Sequence, residues 1–159
     1  LITMGVGLMY LWGIISVYAT SYYRIVTNDL ISLFKADIVF PLQLLGQVHS
    51  CIINIGNIDT IAARMFRRSN PRFVCMICGV VLSATLYMSS YSGRYSTFAG
   101  MYGLMAGIII GFLYIFPMAH CYTYYPDRKV LISGLIISAS GFGTMIFAYM
   151  AYNTINPKN

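Results

Sequence analysis

The stretch from Phe98 to Tyr122, FAGMYGLMAGIIIGFLYIFPMAHCY, decides the fold because it contains no Asp, Glu, Lys or Arg. A transmembrane α-helix needs about 20 mostly apolar residues to cross roughly 30 Å of hydrocarbon. The run is continuous rather than alternating, and it is about twice as long as a barrel strand of 10 residues, so it is not typical of a β-barrel. The segment therefore predicts a helix that spans a membrane.

Four other stretches have the same character. We expect the five spans at about 2–23, 38–66, 73–90, 98–122 and 131–152. The chain is 58% hydrophobic and 9% charged, whereas soluble domains carry about 25% charged residues. So few charges cannot cover the surface of a globule, and the lipid bilayer is the expected partner of much of it. The sequence predicts an all-α, polytopic membrane helix bundle with five transmembrane helices.

The basic residues concentrate around two of the loops between these spans. Arg64, at the end of the second span, precedes Arg67, Arg68 and Arg72, and the other loop carries Arg128 and Lys129. Cytoplasmic loops of membrane proteins carry an excess of Lys and Arg. We therefore expect both loops and the N-terminus on the cytoplasmic side, and the tail 153–159 on the opposite side. The net charge of +6 is interpreted as a topology signal, so no nucleic-acid partner is expected.

The fourth span carries a stripe of glycines, with steps of three or four residues: Gly100, Gly103, Gly107 and Gly111. Such spacing places them on one side of a helix, where a second backbone can approach closely. We favour a helix-packing groove over a direct ligand role for this stripe.

The second span carries a polar stripe at steps of 4, 3, 4 and 3, made of Gln43, Gln47, Ser50, Asn54 and Asn57. Five polar groups on a lipid-facing side would be costly, so this face must look into protein or into a water-filled path. Two interpretations stay open. The side chains either form hydrogen bonds between helices or line the wall of a polar translocation path.

Aromatic side chains mark two levels of the first span. Tyr22 and Tyr23 lie near its end and fit an aromatic belt at the level of the lipid headgroups. Tyr10 and Trp12 lie deeper, where a phenol hydroxyl needs a partner. Tyr10 is therefore a candidate for a ligand contact.

The sequence lacks the residue patterns of an enzyme. It has no glutamate and contains no paired carboxylates, Ser/His/Asp set or phosphate-binding glycine loop. Cys75 and Cys78 form a Cys-x-x-Cys motif inside an apolar span with no second ligand pair, which favours buried thiols over a metal or redox site. We expect a protein that is not an enzyme and needs no metal and no cofactor.

Three segments resemble carriers of the major facilitator superfamily, of the oxalate–formate antiporter and monocarboxylate transporter type. Residues 124–134 read YYPDRKVLISG and are followed by Gly-Phe-Gly at 141–143, similar to the loop and fifth helix of that group. Residues 5–13 read GVGLMYLWG, similar to its first helix, and residues 107–114 read GIIIGFLY, similar to its fourth. The resemblance covers five of the twelve helices in the family. It implies a partial N-terminal transporter domain over residues 1–159.

The loop between the second and third spans departs from the pattern of the superfamily. It reads RRSNPR over 67–72, so that Arg67 replaces an acid and Asn70 replaces a glycine, while Arg68 and Arg72 match. The resemblance implies that these arginines, with Asp127 and Arg128, belong to cytoplasmic gating loops. Asp127 either caps the fifth helix, which we favour, or pairs with the arginine cluster.

The resemblance implies transport of small organic anions, mono- or dicarboxylates, by alternating access, with the C-terminal half of the carrier as a required partner. The stripe and the resemblance together predict the substrate-binding residues Tyr10, Gln43, Gln47, Asn54 and Tyr114. Gly134 and Gly141 are expected to let the fifth helix pack closely against a neighbour. The alternative is a carrier-derived structural or accessory membrane subunit without transport activity. The plasma membrane is the default location, ahead of an organelle.

Overall fold

A computed structural model of the chain describes residues 6, 7, 9–27, 36–56 and 70–155. These residues form five helices: α1 Trp12–Thr27, α2 Val39–Gly56, α3 Pro71–Ser90, α4 Tyr95–Tyr124 and α5 Lys129–Ile155. No strand occurs within the described ranges. The predicted all-α helical bundle of membrane type is confirmed.

Three stretches are long and apolar enough to cross a membrane: Arg72–Ser90, Tyr95–Tyr124 and Pro126–Ile155. They correspond to α3, α4 and α5, and they make the chain a multi-pass membrane protein. Helices α1 and α2 have 16 and 18 residues in the part of the chain that the structure describes. The five-span division of the chain therefore stays a prediction.

The first helix begins later than the predicted span. Its regular α-helical part starts at Trp12, and the backbone N–H of Tyr10 donates to the carbonyl oxygen of Gly7 at 3.2 Å in the tight turn before it. The hydroxyl of Thr144 on α5 donates to the same carbonyl at 3.2 Å. The carbonyl oxygen of Gly7 therefore accepts hydrogen bonds from the turn residue Tyr10 and from α5, and Gly7 is not part of the regular α-helix.

Helix α4 is the centre of the bundle. It packs against α2, α3 and α5. Its buried residues Ala106, Ile109, Ile110 and Leu113 form one core cluster with Val6, Met9 and Leu82. Further along α4, Phe116 packs against Val74 and Cys75 of α3. Helix α4, which contains the long uncharged segment of the sequence, is thus the helix that most of the other helices contact.

A π-helical segment, Ala99–Met105, interrupts the regular geometry of α4. The N–H of Ala106 donates to the carbonyl oxygens of Gly103 and Met101 and passes over that of Tyr102. The passed-over oxygen accepts instead from Nε2 of Gln43 on α2, at 3.3 Å. Single-turn π segments inside α-helices frequently mark functional sites.

An aromatic cluster joins α1 to the first turns of α4; its members are Trp12, Tyr23, Tyr95, Phe98 and Tyr102. The rings of Phe98 and Tyr102 are stacked at 5.3 Å, and that of Trp12 lies 5.4 Å from that of Tyr102. Tyr23 is only 4% exposed, and its hydroxyl donates to the carbonyl oxygen of Ser92 at 3.0 Å. The expectation that Tyr23 belongs to an interfacial belt is therefore wrong, because packing and this bond hold it inside the protein. Tyr22 is 57% exposed.

Candidate functional site

Helices α2 and α4 cross at a contact made by glycines. A Cβ at Gly107 would meet backbone atoms of Gln43, including its Cα at 2.8 Å. A Cβ at Gly46 on α2 would lie 2.6 Å from the carbonyl oxygen of Leu104, and one at Gly111 would lie 2.7 Å from Cβ of Ser50. The predicted packing glycines Gly107 and Gly111 thus lie at the closest approach of the two helices, where only a hydrogen atom fits.

Two members of the polar stripe form hydrogen bonds across this contact. Gln43 is 1% exposed and donates through Nε2 to Tyr102, while Oγ of Ser50 donates to the carbonyl oxygen of Ile108 at 2.7 Å. In membranes, such bonds between helices satisfy polar groups that lipid cannot. Of the two interpretations of the stripe, bonding between helices describes these two residues. A substrate contact by Gln43 would require α2 and α4 to separate.

The remaining described part of the stripe lies beside the contact. Gln47 is half-buried, and its Cα is 3.1 Å from the position of a Cβ at Gly111. Cys51, one turn further along α2, is also half-buried. Gln47 is therefore placed next to α4 with part of its side chain accessible, as a ligand-contacting residue must be.

Tyrosines from α4 and from the turn before α1 complete this region. Tyr114 of α4 is half-buried and lies within electrostatic reach of Tyr10, Tyr122 and Cys51. Tyr10 is 57% exposed. We call the set Tyr10, Gln47, Cys51, Tyr114 and Tyr122 the tyrosine–glutamine face. Tyr114 packs against the core cluster that contains Met9, the residue before Tyr10, and Gln47 lies beside Gly111, one turn before Tyr114 on α4.

The tyrosine–glutamine face continues toward α5. The hydroxyl of Tyr122 lies 2.6 Å from Oγ of Ser133, within hydrogen-bond distance. This contact joins the last turns of α4 to the first turns of α5. Hydroxyl groups of α4 and α5 therefore meet at this end of the bundle.

The side chain of Asn54 and the residues Arg67 and Arg68 fall outside the described part of the chain. Asp127 and Arg128 are exposed in the short 3-10 turn Pro126–Arg128 that leads directly into α5. An acid near the start of a helix is favourable because of the helix dipole, and the capping role of Asp127 stays a prediction.

Arg72 lies in the first turn of α3, at the level where α4 ends. A groove of about 620 Å³ is found there, lined by Asn70, Arg72, Phe73, Met76 and Tyr124. The predicted basic residue is thus beside a cleft between two helix ends.

Gly134 and Gly141 of α5 face open space, since a Cβ at either position would meet no heavy atom within 4 Å. The close contact of α5 is made instead by Ser140, Gly143 and Thr144, whose atoms surround Gly7. A packing role for Gly134 and Gly141 therefore stays a prediction for a neighbour beyond the described residues.

Three contacts were not expected from the sequence: the close approaches at Gly46 and Gly7 and the packing of Trp12 against Tyr102. Gly46 could have been found, because it lies three residues after Gln43 and four before Ser50, on the same helix face. Gly7 and Thr144 are 137 positions apart, and no local pattern connects them.

Metal-binding chemistry finds no support in the part of the chain that is described. No group of three or more His, Cys, Asp or Glu side chains that could hold a metal ion occurs there. Cys75 is buried and Cys78 half-buried as free thiols, and both belong to the packing of α3 against Phe116.

Two curated proteins show distant similarity to the chain. It is 22% identical over 135 residues to an uncharacterized transporter of the major facilitator type, YhjX, from Escherichia coli, covering 85% of the chain and 32% of that protein. It is 19% identical to apicoplast pyruvate carrier 1 of Toxoplasma gondii, covering 99% of the chain and 34% of the carrier. The chain is similar to membrane transporters.

The chain spans about a third of the length of these two relatives. No family model and no solved structure matches it. Both relatives are transporters or carriers rather than enzymes, in agreement with the expectation of a protein without catalytic activity. The similarity supports membrane transport in general, and the substrate and the mechanism are matters for proposal.

Proposed function

We propose that this chain forms part of a secondary carrier that moves small organic anions, mono- or dicarboxylates, across a membrane by alternating access. The observation that supports the proposal is the placement of Gln47 beside Gly111 of α4 and of Tyr114 against the cluster that contains Met9, next to Tyr10; in this proposal Tyr10, Gln47 and Tyr114 of the tyrosine–glutamine face contact the substrate together. A further set of helices, equivalent to the C-terminal half of such carriers, completes the binding site. The name of the Toxoplasma relative, a pyruvate carrier, agrees with a carboxylate substrate.

The chemistry of this face suits a carboxylate. Phenol hydroxyls and the amide Nε2 of Gln47 are hydrogen-bond donors, and a carboxylate accepts up to four such bonds. Bonds in which one group is ionised are roughly twice as strong as those between neutral groups. The face itself contains no Lys or Arg, so the proposed complementary half supplies the cation that neutralises the substrate.

The proposal predicts that Tyr114→Phe, Tyr10→Phe and Gln47→Ala each weaken transport. Each change removes a donor to a charged acceptor, which is worth about 1.5–3 kcal/mol, and about 1.4 kcal/mol corresponds to a factor of ten. We expect KM to rise about tenfold or more. The measurement is uptake of labelled mono- and dicarboxylates into liposomes that contain the purified product of the complete gene.

Tyr149→Phe is the matched control, because it removes a phenol hydroxyl from an exposed site on α5. We expect its uptake kinetics to equal those of the unaltered protein. Unchanged kinetics for Tyr10→Phe, Gln47→Ala and Tyr114→Phe alike would show that the tyrosine–glutamine face is not the substrate site. Absence of uptake for every mono- and dicarboxylate tested would reject the anion carrier itself.

The basic loops form the cytoplasmic gate of the proposed carrier. Arg72 lines the groove between the ends of α3 and α4, and Asp127 and Arg128 lie in the turn before α5. Arg67 and Arg68 belong to the same gate in this proposal. The plasma membrane is the proposed location, which fluorescence microscopy of the tagged gene product tests.

The second candidate is a structural or accessory membrane subunit derived from a carrier. It is favoured by the open surface at Gly134 and Gly141, where a helix of another protein can approach the backbone of α5. The two candidates differ in their outcome. An accessory subunit shows no uptake and is purified with a second membrane protein, and Gly134→Leu releases that protein.

A further inference from the structure

Two buried polar atoms lack a hydrogen-bond partner among the residues that the structure describes: Nε1 of Trp12 and Oε1 of Gln43. Trp12 is 2% exposed and Gln43 is 1% exposed, so bulk water does not reach either side chain. The large majority of buried polar side-chain atoms in proteins have a partner, either in the protein or in ordered water. Each of these two atoms therefore requires an explanation.

Both side chains lie against Tyr102. The indole ring of Trp12 is 5.4 Å from the ring of Tyr102, and Nε2 of Gln43 is 3.3 Å from its carbonyl oxygen. Val39, one turn before Gln43 on the same helix face, packs in the cluster that contains Trp12 and Tyr102. The two unpartnered atoms thus occur at one junction of α1, α2 and α4.

The two atoms are complementary in their bonding. The indole Nε1–H of Trp12 is a donor only. The amide of Gln43 is oriented by the carbonyl oxygen of Tyr102, which needs a donor and therefore faces Nε2. Oε1 is left as an acceptor without a donor. A molecule that both accepts and donates a hydrogen bond satisfies both atoms together.

The site selects a small and neutral occupant. The cluster that contains Trp12 is aromatic and aliphatic, with Val39, Phe98 and Tyr102 among its buried members, which favours a neutral occupant over an ion. A carboxylate has no hydrogen to donate to Oε1 of Gln43. The near-complete burial of both partners also favours the smallest molecule with one donor and one acceptor, which is water.

We propose that Trp12 and Gln43 hold one internal water molecule at the junction of α1, α2 and the π-helical segment of α4. The water accepts from Nε1–H of Trp12 and donates to Oε1 of Gln43. It links α1 to α2 beside Tyr102, whose carbonyl oxygen does not accept the N–H of Ala106 and bonds to Gln43 instead. The inference stands apart from the proposed transport function, because it rests on two buried atoms that do not belong to the tyrosine–glutamine face.

The chain contains a single tryptophan, so one indole signal reports on the site. The experiment is nuclear magnetic resonance of the complete gene product in lipid nanodiscs. The protein is labelled with 15N-tryptophan, and any tryptophan outside this chain is replaced by phenylalanine, so that Trp12 gives the only indole signal. We expect a cross-peak between the indole N–H of Trp12 and a long-lived water. A wild-type indole N–H without a cross-peak to water overturns the proposal.

Two variants test the partner of the water. Gln43→Met removes the acceptor and keeps the length of the side chain, and Gln43→Asn keeps the amide but withdraws it by one methylene. We expect the water cross-peak to be lost in both, whereas Gln47→Met, the matched control one turn away, keeps it. If Gln43→Met does not fold, Gln43→Asn decides, and a cross-peak that persists in the variant measured overturns the proposal.

A third arm distinguishes water from a small acid. A saturating concentration of a short monocarboxylic acid at low pH is added to the wild-type protein. An unchanged indole signal supports water as the occupant. Loss of the water cross-peak together with a new contact from the indole N–H to the acid overturns the proposal in favour of a carboxylic-acid site.

Discussion

Replacing Gly107 by alanine is expected to cause a large loss of stability. The added Cβ would meet the carbonyl oxygen, Cα and carbonyl carbon of Gln43, all of them backbone atoms that cannot rotate away. Overpacking of a tight interior typically costs about 1–3 kcal/mol. Because the contact joins α4, the central helix, to α2, we expect a loss near the upper end, about 3 kcal/mol. This corresponds to a Tm lower by about 6–12 °C in detergent solution.

Gly134→Ala on α5 is the matched control, because its Cβ would meet no heavy atom within 4 Å. Alanine is favoured over glycine inside a helix by about 1 kcal/mol, so the control is expected to keep or slightly raise the Tm. The two substitutions thus have opposite expected signs for the same chemical change. A Tm for Gly107→Ala equal to that of Gly134→Ala would contradict the close approach of α2 and α4.

Replacing Gly7 by alanine is expected to detach α5 from the start of α1. The Cβ would lie 2.5 Å from the backbone N of Thr144 and 2.7 Å from the carbonyl oxygen of Ser140. Both atoms belong to the backbone of α5, so the helix has to move as a whole. We expect a loss of about 1–3 kcal/mol, measured by thermal unfolding in detergent. The distance between spin labels on α1 and α5 is also expected to increase.

Two controls separate this clash from other effects. Gly13→Ala introduces the same methyl group in the first turn of α1, where a Cβ meets nothing within 4 Å, and it is expected to be tolerated. Thr144→Val keeps the shape of the side chain and removes its hydroxyl, which lies 3.2 Å from the carbonyl oxygen of Gly7 and 3.0 Å from that of Ser140; the loss of hydrogen bonding is worth about 0.5–1.5 kcal/mol. An unchanged label distance in Gly7→Ala would refute the contact between α1 and α5.

The polar stripe on α2 shows how far a helical pattern can be interpreted. The spacing of Gln43, Gln47 and Ser50 places them on one helix face, and in the structure all three lie toward α4. The spacing could not tell which of the three side chains bond to α4 and which stay accessible. A period of 3.6 residues shows which residues share a helix face, but not which atoms of a neighbouring helix lie across from each of them. Gln43 and Ser50 meet backbone carbonyls of α4, whereas Gln47 lies beside the glycine contact and remains partly accessible.

The aromatic residues of α1 show where such interpretation fails. Tyr22 and Tyr23 are adjacent in sequence and have the same chemistry, yet one is exposed and the other is buried against Phe98 with its hydroxyl bonded to Ser92. Both partners come from a segment about 70 positions away. Local composition carries no information about a neighbour that far away in the sequence. The expectation of an interfacial aromatic belt therefore suits the exposed Tyr22 but not the buried Tyr23.

The sequence by itself determined that the chain is helical and belongs in a membrane, because uncharged runs of span length permit no other regular structure in lipid. The glycine spacing also predicted the packing side of α4 for Gly103, Gly107 and Gly111, which meet α2, but not for Gly100, where a Cβ would meet no heavy atom within 4 Å. Only the tertiary structure decided which backbones meet at Gly107 and Gly7, and that both Trp12 and Gln43 are buried against Tyr102. These are contacts between residues far apart in the chain, and their geometry depends on how whole helices pack.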